Sequence, residues 1–483
     1  MTTSYDEVTY ASTPKPQTQP DRLATLATLH SVIPAPMDRC RVLEIGCGDG
    51  SNLIPLAFRE PGSRFTGIDL ARTAIDRGRE FSAALGLDNI EFIHTDVRDW
   101  DVAGREFDYI IVHGVYSWVP PAAREAILAI CSSTLSPNGV AYISYNALPG
   151  CHFRSYVWDL VRFHTRAITD PRQKIEEARA IARQMMERLG DHPHQIAIKE
   201  ECKNLIEADD WMVFHDDLAE VNTPLHLSEF VEAASRHGLE YLCDAEFGRD
   251  CLRAPFLATP DWLAELEYFD YSVGRRFRSS LLCRSGTTPD RDIQPSRLEG
   301  LLAASPVIPE CEQADGAQKF ILGEDKSLST NHPFVKRVLC DLAARWPGCV
   351  PVASLTGQDD EVRDVSGMLL RLYAAKAVEL STRAPHLVDT VSDRPIASAL
   401  GRLQLSRGGE VVTSQRHTSV HLTDELSRRL LMLLDGSRDR TALAAALVRP
   451  EDGGAAPSNP DQRIESTLDA NLKMAVRLCL LVG

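Results

Sequence analysis

Arg41-Val42-Leu43-Glu44-Ile45-Gly46-Cys47-Gly48-Asp49-Gly50, followed by Ser51-Asn52-Leu53-Ile54, is the stretch that sets the fold. An apolar run carries an acid and then three glycines at alternate positions. Such a run reads as a buried parallel strand that turns sharply into a helix. Glycines lack Cβ atoms, so they accept positive φ and let a ligand lie against the backbone in the crevice beyond the strand's carboxyl end.

The loop excludes two phosphate-binding readings. A P-loop needs Lys-Ser/Thr after its last glycine, and a dinucleotide fingerprint needs G-x-G-x-x-G; neither is present. An acid ahead of the first glycine instead suits a cationic, phosphate-free ligand such as S-adenosylmethionine. Phe65 to Leu70 reads as a second strand whose Asp69, 19 residues after Gly50, is placed to accept both ribose hydroxyls. Ile90 to Asp96 gives a third, ending in an acid set to receive the adenine amino group. Phe107 to His113 is a fourth and Gly139 to Asn146 a fifth. Helical patterns at Ala71 to Leu85 and Pro121 to Ser132 separate them at right-handed crossover spacing. The fold class is α/β with a Rossmann-like sheet.

At 483 residues the chain has room for two to four domains. Its 52 basic and 68 acidic residues give a formal charge of −16, which argues against nucleic acid as a partner. Twelve cysteines without a C-x-x-C pair read as reduced thiols, and no histidine joins them at structural zinc spacing, so no metal is expected. The first residues lack a signal-peptide pattern, and no apolar run is long enough to span a bilayer. A soluble, cytoplasmic protein is expected.

Residues 1–20, with Pro14, Pro16 and Pro20, read as an extended segment, either an arm that folds across the ligand through Tyr5, Tyr10, Gln17 and Thr18 or an ordinary N-terminal tail; Asp21 to His30 reads as a helix. Beyond the fifth strand a helix runs to about Arg166, and Asp170-Pro171 caps another whose stripe is Ile175, Ala178, Ile181, Met185 and Leu189. Ile196 to Ala208 is helical again. A helix at Leu227 to His237, then strands at Leu239 to Cys243 and Arg276 to Cys283, complete the sheet. The expected division is therefore 1–166 plus 226–286 as the core and 167–225 as a helical insertion over the substrate side. The alternative makes 167–286 a separate middle domain. Residues 287–330 read as a linker. In 331–483, helices at His332 to Trp346 and Val362 to Ala375 with a short strand, Val378 to Ser381, predict a mainly helical, winged-helix-like domain. Leu422 to Leu434 and Thr441 to Leu447 read as helices and Asp452 to Pro460 as a flexible loop.

Tyr5 to Glu7, Val42 to Pro55, Phe107 to Pro120, Gly139 to Gly150, Phe277 to Cys283 and Leu433 to Arg440 together resemble bacterial class I methyltransferases that carry a methyltransferase regulatory domain. The best-understood members of that family are protein-lysine methyltransferases with a C-terminal winged helix. The resemblance implies a seven-stranded sheet, S-adenosylmethionine as cofactor with S-adenosylhomocysteine as product, and a lysine acceptor. One departure is Cys151, where the family has a tryptophan after the Pro-Gly pair; it lies beside the expected acceptor pocket.

Methyl transfer is an in-line displacement, so the protein positions two reactants and keeps the acceptor neutral. His113, Tyr116, Tyr145 and Asn146 are the catalytic candidates, and Ser117, Trp118 and His152 the substrate-binding ones. Aromatic faces hold an ammonium, and His113 or Tyr116 takes a hydrogen bond or proton; the competing readings are ordinary packing for Tyr116 and Trp118, and for His113 a contact to cofactor or backbone without proton transfer. Candidates for holding the cofactor are Tyr10, Thr18, Glu44, Gly46, Cys47, Gly48, Asn52, Asp69, Leu70, Asp96, Val97 and His113. His192 with His194, and His215-Asp216-Asp217, read as surface loops, and His417 and His421 as sharing one strand face. The C-terminal module is expected to serve protein docking or homodimerisation. Two other functions compete with lysine methylation: methyl transfer to a small-molecule amine or hydroxyl, and a non-catalytic cofactor-binding regulator.

Overall fold

The computed structural model describes residues 8, 10, 12–248, 261–323, 326–356, 365–447 and 460–483. The chain divides into two compact units, the first made of Met1–Thr13, His30–Glu246 and Arg253–Arg291. Seven strands form its sheet: β1 Arg41–Ile45, β2 Arg64–Asp69, β3 Ile90–His94, β4 Phe107–Val112, β5 Leu135–Asn146, β6 Leu239–Asp244 and β7 Phe277–Arg284. Their order is β3-β2-β1-β4-β5-β7-β6. β1 to β5 are parallel, and β7 lies antiparallel between β5 and β6.

Sequence and burial agree on why these strands form. Val42, Leu43, Tyr109 to Val112 and Val140 to Ile143 are all fully enclosed, as a sheet covered on both faces demands. Each large apolar side chain so buried contributes about 1.5–3 kcal/mol. The crossover helices Leu53–Arg59, Arg72–Ala84 and Pro121–Thr134 supply the covering layers. The strand order reverses beside β1, so the carboxyl ends of β1 and β4 border the crevice in which such sheets bind ligands.

Five helical segments lie between β5 and the helix Leu227–Arg236: Cys151–Thr165, Pro171–Arg188, Pro193–Glu207, the short Asp210–Met212 and a π turn at Val213–Asp217. Val157, Val161, Ile175, Ala178, Ala182, Ile198, Cys202, Leu205, Val213 and Leu218 share one apolar core. Val157 and Val161 belong to the first of these helices. The apolar core of the stretch expected as an insertion at 167–225 thus also takes in residues ahead of 167.

A helix absent from the sequence reading, Trp262–Val273, is capped by the Asp261 carboxylate at its start and by Gly274 at φ +60° after its end. It carries Asp270, fully buried, whose carboxylate accepts from Arg278 at 2.7 and 2.8 Å. Arg278 also donates to Asp244 at 3.0 Å and is 1% exposed. One guanidinium thus ties β6, this helix and β7 together.

The second unit comprises Pro14–Leu29, Phe247–Leu252 and Asp292–Gly483. Residues 287–330 are not a linker. Ile308–Glu312, Gln318–Gly323 and Lys326–Thr330 form an antiparallel sheet, and Leu302–Ala304 pairs with Val350–Pro351 and Glu379–Ser381. The Pro, Gly and charge that read as linker are the turns and outward faces of these strands; Ile308–Glu312 is exposed throughout, whereas Phe320 is fully buried. Further on, helices Ala399–Ser406, Glu425–Leu433, Arg440–Leu447 and Pro460–Arg477 and the hairpin Val411–Thr413 with Ser419–His421 enclose a core that includes Val412, Leu430, Leu431, Leu443, Leu472 and Leu481. His417 sits in the hairpin turn at φ +61°, so it does not share a strand face with His421. Most of the loop expected at Asp452 to Pro460 lies outside the described residues, as do Tyr5 to Glu7.

Candidate functional site

The turn after β1 holds Gly46, Gly48 and Gly50 at φ +75°, +55° and +77°. Gly46 and Cys47 donate their N–H groups to the Ile68 carbonyl, which locks the turn against β2. The glycines differ in what surrounds them. A Cβ on Gly46 would lie 2.4 Å from the Val115 side chain, and one on Gly50 2.4 Å from the Phe92 ring. A Cβ on Gly48 would meet nothing within 4 Å. Gly48 alone thus presents bare backbone to open space.

Asp69 ends β2 beside it. Its carboxylate accepts from the Gly48 N–H at 2.8 Å and from the Ala71 N–H at 2.7 Å. Burial raises the carboxyl's pKa and these N–H groups hold it back, leaving it above the usual value. The Leu70 N–H also bonds it, and a carboxylate offers about four acceptor positions, so at least one remains. Beneath the turn, buried Glu44 accepts from Asn52 Nδ2 at 2.9 Å. Cys47 is buried there too, and burial pushes its thiol well above the ordinary range, with Asp69 and Glu44 adding to the effect. Leu70 is half exposed and Val97 packs on the core edge.

Asp96 is placed differently from expectation. β3 ends at His94, and the Asp96 carboxylate is engaged by Arg98, at 2.6 and 3.0 Å from the guanidinium and 2.9 Å from the N–H. The Arg98 side chain holds its pKa below the usual carboxylate range. An adenine amino group would therefore share this carboxylate with Arg98.

Beyond β4, half-buried His113 has Nδ1 2.9 Å from the Tyr142 hydroxyl, and its ring lies edge-on to Phe277. Asn146, at the end of β5, donates from Nδ2 to Asn222 at 2.8 Å and from its N–H to buried Ser117 at 2.9 Å. The segment after the π turn is threaded onto these ends, since Thr223 donates to the Ser117 carbonyl and Leu225 to that of Asn146. Trp118 is half-buried and His152 exposed.

Tyr116 and Tyr145 are not at the crevice. Both belong to the core against Phe230, with rings 5.5 and 4.4 Å from it. Tyr145 alternates with Ile143 and Ala141 and so faces the helix layer, opposite the face that carries Tyr142, Ser144 and Asn146. Burial pushes the Tyr116 hydroxyl up to about 12, and the Tyr145 hydroxyl also rises through burial. Neither is placed to take a proton.

Cys151 is fully buried with Sγ 3.1 Å from the Arg276 carbonyl, and burial raises its thiol to about 11. Gly150 before it is hemmed in by backbone, a Cβ there falling 2.2 Å from the Gly274 carbonyl oxygen. The arm reaches the insertion: the Tyr10 ring lies 4.6 Å from Trp211, and the Val8 carbonyl bonds His215 Nε2 at 2.7 Å. Thr18 is in the second unit, fully buried, donating to the Lys15 carbonyl. His215 and Asp217 are buried, not in a surface loop; Asp217 accepts from Trp158 Nε1 at 2.7 Å and from Arg154 at 3.2 Å. Among the described residues, no three His, Cys, Asp or Glu side chains converge as metal ligands.

Tyr142, Ser279 and Asn222 join the site without having been singled out in the sequence. For Tyr142 the signal was the alternation in Tyr142-Ile143-Ser144-Tyr145-Asn146, which gives each face of β5 its own chemistry.

Residues 42–139 match the family described as Methyltransferase domain, 209–284 the Predicted methyltransferase regulatory domain, and 393–480 the PKMT C-terminal winged helix domain. The winged helix thus falls within the 331–483 stretch expected to hold it, in its last helices and hairpin. Protein RP789 of Rickettsia prowazekii (strain Madrid E) is 30% identical over 96% of this chain and 89% of its own length. Protein RP028 of the same organism is 32% identical over 50% of this chain and 96% of its own. The fold matches that of PKMT2 from Rickettsia typhi, solved in complex with AdoHcy, with a TM-score of 0.85 and 23% identity over 98% of this chain and 100% of that one. The chain therefore belongs to the family of S-adenosylmethionine-dependent methyltransferases that join a methyltransferase domain to a methyltransferase regulatory domain and a PKMT-type C-terminal winged helix.

Proposed function

We propose that this methyltransferase acts on a lysine amine of a protein or peptide. The observation that carries the acceptor class is the match of 393–480 to a winged helix described as that of PKMT. The neighbour solved with AdoHcy supports the same cofactor here, and the site fits it: the open space over Gly48 adjoins an Asp69 carboxylate with spare acceptor capacity for a ribose diol. S-adenosylmethionine, when bound, supplies an electrophilic methyl group.

This chain's residues then have two tasks. Gly48 and Asp69 hold the adenosyl part and fix its direction. His113 and Asn146, at the ends of β4 and β5, meet the acceptor, with half-exposed Phe277 as an apolar wall for a lysine stem. A free lysine has a pKa near 10.4, so the amine must lose a proton before it attacks. Partial burial beside Phe277 favours the neutral amine, and His113 receives the proton.

The test is labelled-methyl transfer to a protein fraction and, separately, a metabolite fraction of a bacterial lysate, with Asp69→Ala as control. Label in acid-stable protein bands that maps to lysine is the expected result. Label confined to metabolites refutes the protein-lysine reading in favour of a small-molecule acceptor; cofactor binding without any transfer favours a regulator.

A further inference from the structure

Asn146 is 3% exposed, yet the chain uses only half of its carboxamide. Nδ2 donates to Asn222 Oδ1 at 2.8 Å, whereas no donor among the described residues reaches Asn146 Oδ1. A sealed oxygen without a partner would cost stability, but Oδ1 is not an enclosed atom; it emerges on the open side of the residue. The alternation along β5 puts Asn146 on the face of Tyr142 and Ser144, at the carboxyl edge of the sheet. Across the strand pair it stands opposite Phe277, whose ring lies 6.2 Å from that of His113. His113 and Phe277 are both partly exposed, so the open ground at this edge lies beside them.

The two ends of a carboxamide differ in chemistry but hardly in shape, so hydrogen bonds decide which way it is turned. Here the deciding group lies outside the sheet. Asn222 Nδ2 donates at 3.2 Å to the Asp216 carbonyl, an oxygen with no hydrogen to give. Asn222 therefore offers Oδ1 to Asn146, and only the Nδ2 end of Asn146 can answer it. Turning either amide over would set oxygen against oxygen. The Asn146 oxygen is thus fixed on the side away from Asn222. Asn222 is itself held in place by backbone: next to it Thr223 donates to the Ser117 carbonyl at 2.9 Å, and Leu225 donates to that of Asn146 at 3.0 Å. Asn222 falls within 209–284, so the stretch that matches the regulatory domain sets the orientation of a β5 side chain.

We propose that Asn222 is a positioning residue that turns the Asn146 carboxamide so that Oδ1, and not Nδ2, meets the acceptor. An oxygen there accepts an N–H of the acceptor nitrogen and leaves its lone pair free. An Nδ2 group there would donate to that lone pair, which is the pair that has to attack. The site thereby favours an acceptor nitrogen that carries hydrogen, and it holds that nitrogen in the attacking direction. The inference rests on the lysine reading above for the identity of the acceptor, and on the hydrogen bonds alone for the orientation of the amide.

The experiment is a double-substitution cycle on the full chain. Asn222→Ala lets the Asn146 amide turn, and methyl transfer to a lysine-rich protein fraction should fall about tenfold or more, as misplacement of a reacting group does. Asn146→Asp is expected to be slower than the parent but active, because a carboxylate presents an oxygen whichever way it turns. In that background Asn222→Ala should cost less than about twofold, whereas a residue that only supported the fold would cost the same in both. Binding of S-adenosylhomocysteine within about twofold of the parent shows that each variant is folded. A readout without turnover uses nitrogen-15 at asparagine side chains. The Asn146 carboxamide signal, assigned by its loss in Asn146→Asp, should exchange its hydrogens with water slowly in the parent and faster in Asn222→Ala. Equal cost in the two backgrounds, no cost in the first, an Asn146→Asp protein without any transfer, or a carboxamide exchange unchanged by Asn222→Ala overturns the proposal. If the parent transfers nothing to lysine, the acceptor reading fails while the exchange rates still decide whether Asn222 orients the amide.

Discussion

Replacing Gly50 by alanine and, separately, Gly48 by alanine applies the same chemical change two residues apart and should give opposite phenotypes. Gly50 has φ +77°, and a Cβ would fall 2.4 and 2.7 Å from two atoms of the Phe92 ring. Left-handed backbone costs a non-glycine residue about 1–2 kcal/mol, and forced overpacking of a buried ring about 1–3 kcal/mol. The sum, roughly 2–5 kcal/mol, lowers the melting temperature by roughly 2–4 °C for each kcal/mol in a domain of this size. Phe92→Leu should recover part of the loss by clearing the ring. Gly48 has φ +55° with no atom within 4 Å of its Cβ position, so Gly48→Ala carries only the backbone cost of about 1–2 kcal/mol. Its effect should appear in ligand binding, because the methyl group occupies the space over the turn. A loss of about 1.4 kcal/mol or more, a factor of ten in Kd for S-adenosylhomocysteine, is expected by calorimetric titration. Urea unfolding with titration on both variants is the assay. Equal destabilisation of the two, or a Gly48→Ala protein that binds as tightly as the parent, refutes the assignment of that space to the cofactor.

Arg278→Met should cost about 3–5 kcal/mol, because it leaves the buried carboxylates of Asp244 and Asp270 facing each other's field without their shared cation; unfolding curves measure it. Asp108 accepts from the Arg41 guanidinium and N–H; burial alone would raise its pKa, but Arg41 outweighs it and holds the carboxyl below the usual range. That depressed folded value means the stabilisation is complete above the ordinary Asp pKa of about 3.9 and is lost as pH falls through the folded value. Asp108→Asn should therefore be less stable than the parent by about 1–2 kcal/mol at pH 7, with the gap closing as the solution is acidified below pH 4. Among the described cysteines, exposed Cys311 should react with a maleimide in the native state, whereas Cys131, enclosed and pushed up to about 12 by burial, should react only on unfolding, as mass mapping will show.

The glycine turn and the strand around it were legible because their signals are local. The glycine spacing, Asp69 at the end of a short apolar run, and the crossover helices each follow from a few consecutive residues, and the strand order placed them together. The ends of β4 and β5 were read less well. Tyr116 and Tyr145 have the right chemistry in the right motif, yet one face of β5 is core and the other is crevice, and the motif does not say which. Period-two alternation from Tyr142 to Asn146 carries that information. Asn222 and Ser279 reach the site by pairings across 76 and 137 residues, which no local pattern encodes. The helix Trp262–Val273 had its caps in plain view at Asp261 and Gly274, but its run of aromatic and acidic residues lacks a clear apolar stripe. In the second unit, outward-facing charge hid the strands of 308–330, since a strand exposed along its whole length shows no alternation to read.

The place of β7 also bears on how the chain is made. β5 gains its outer neighbour only when residues 277–284 exist, and Tyr145 and Ser280, which meet across that pair, are 135 residues apart. On a ribosome adding about 5–20 residues per second, the edge of β5 is open for on the order of ten seconds. An open, flat, apolar strand edge is a template for pairing with another chain. The helices that intervene have a core of their own and form by local contacts, which are fast relative to sheet closure. The Leu225 backbone bonds the Asn146 carbonyl and the Leu148 N–H, whereas the Ala147 N–H between them points the other way to Arg276, so the edge that β7 takes stays open until β7 itself is made.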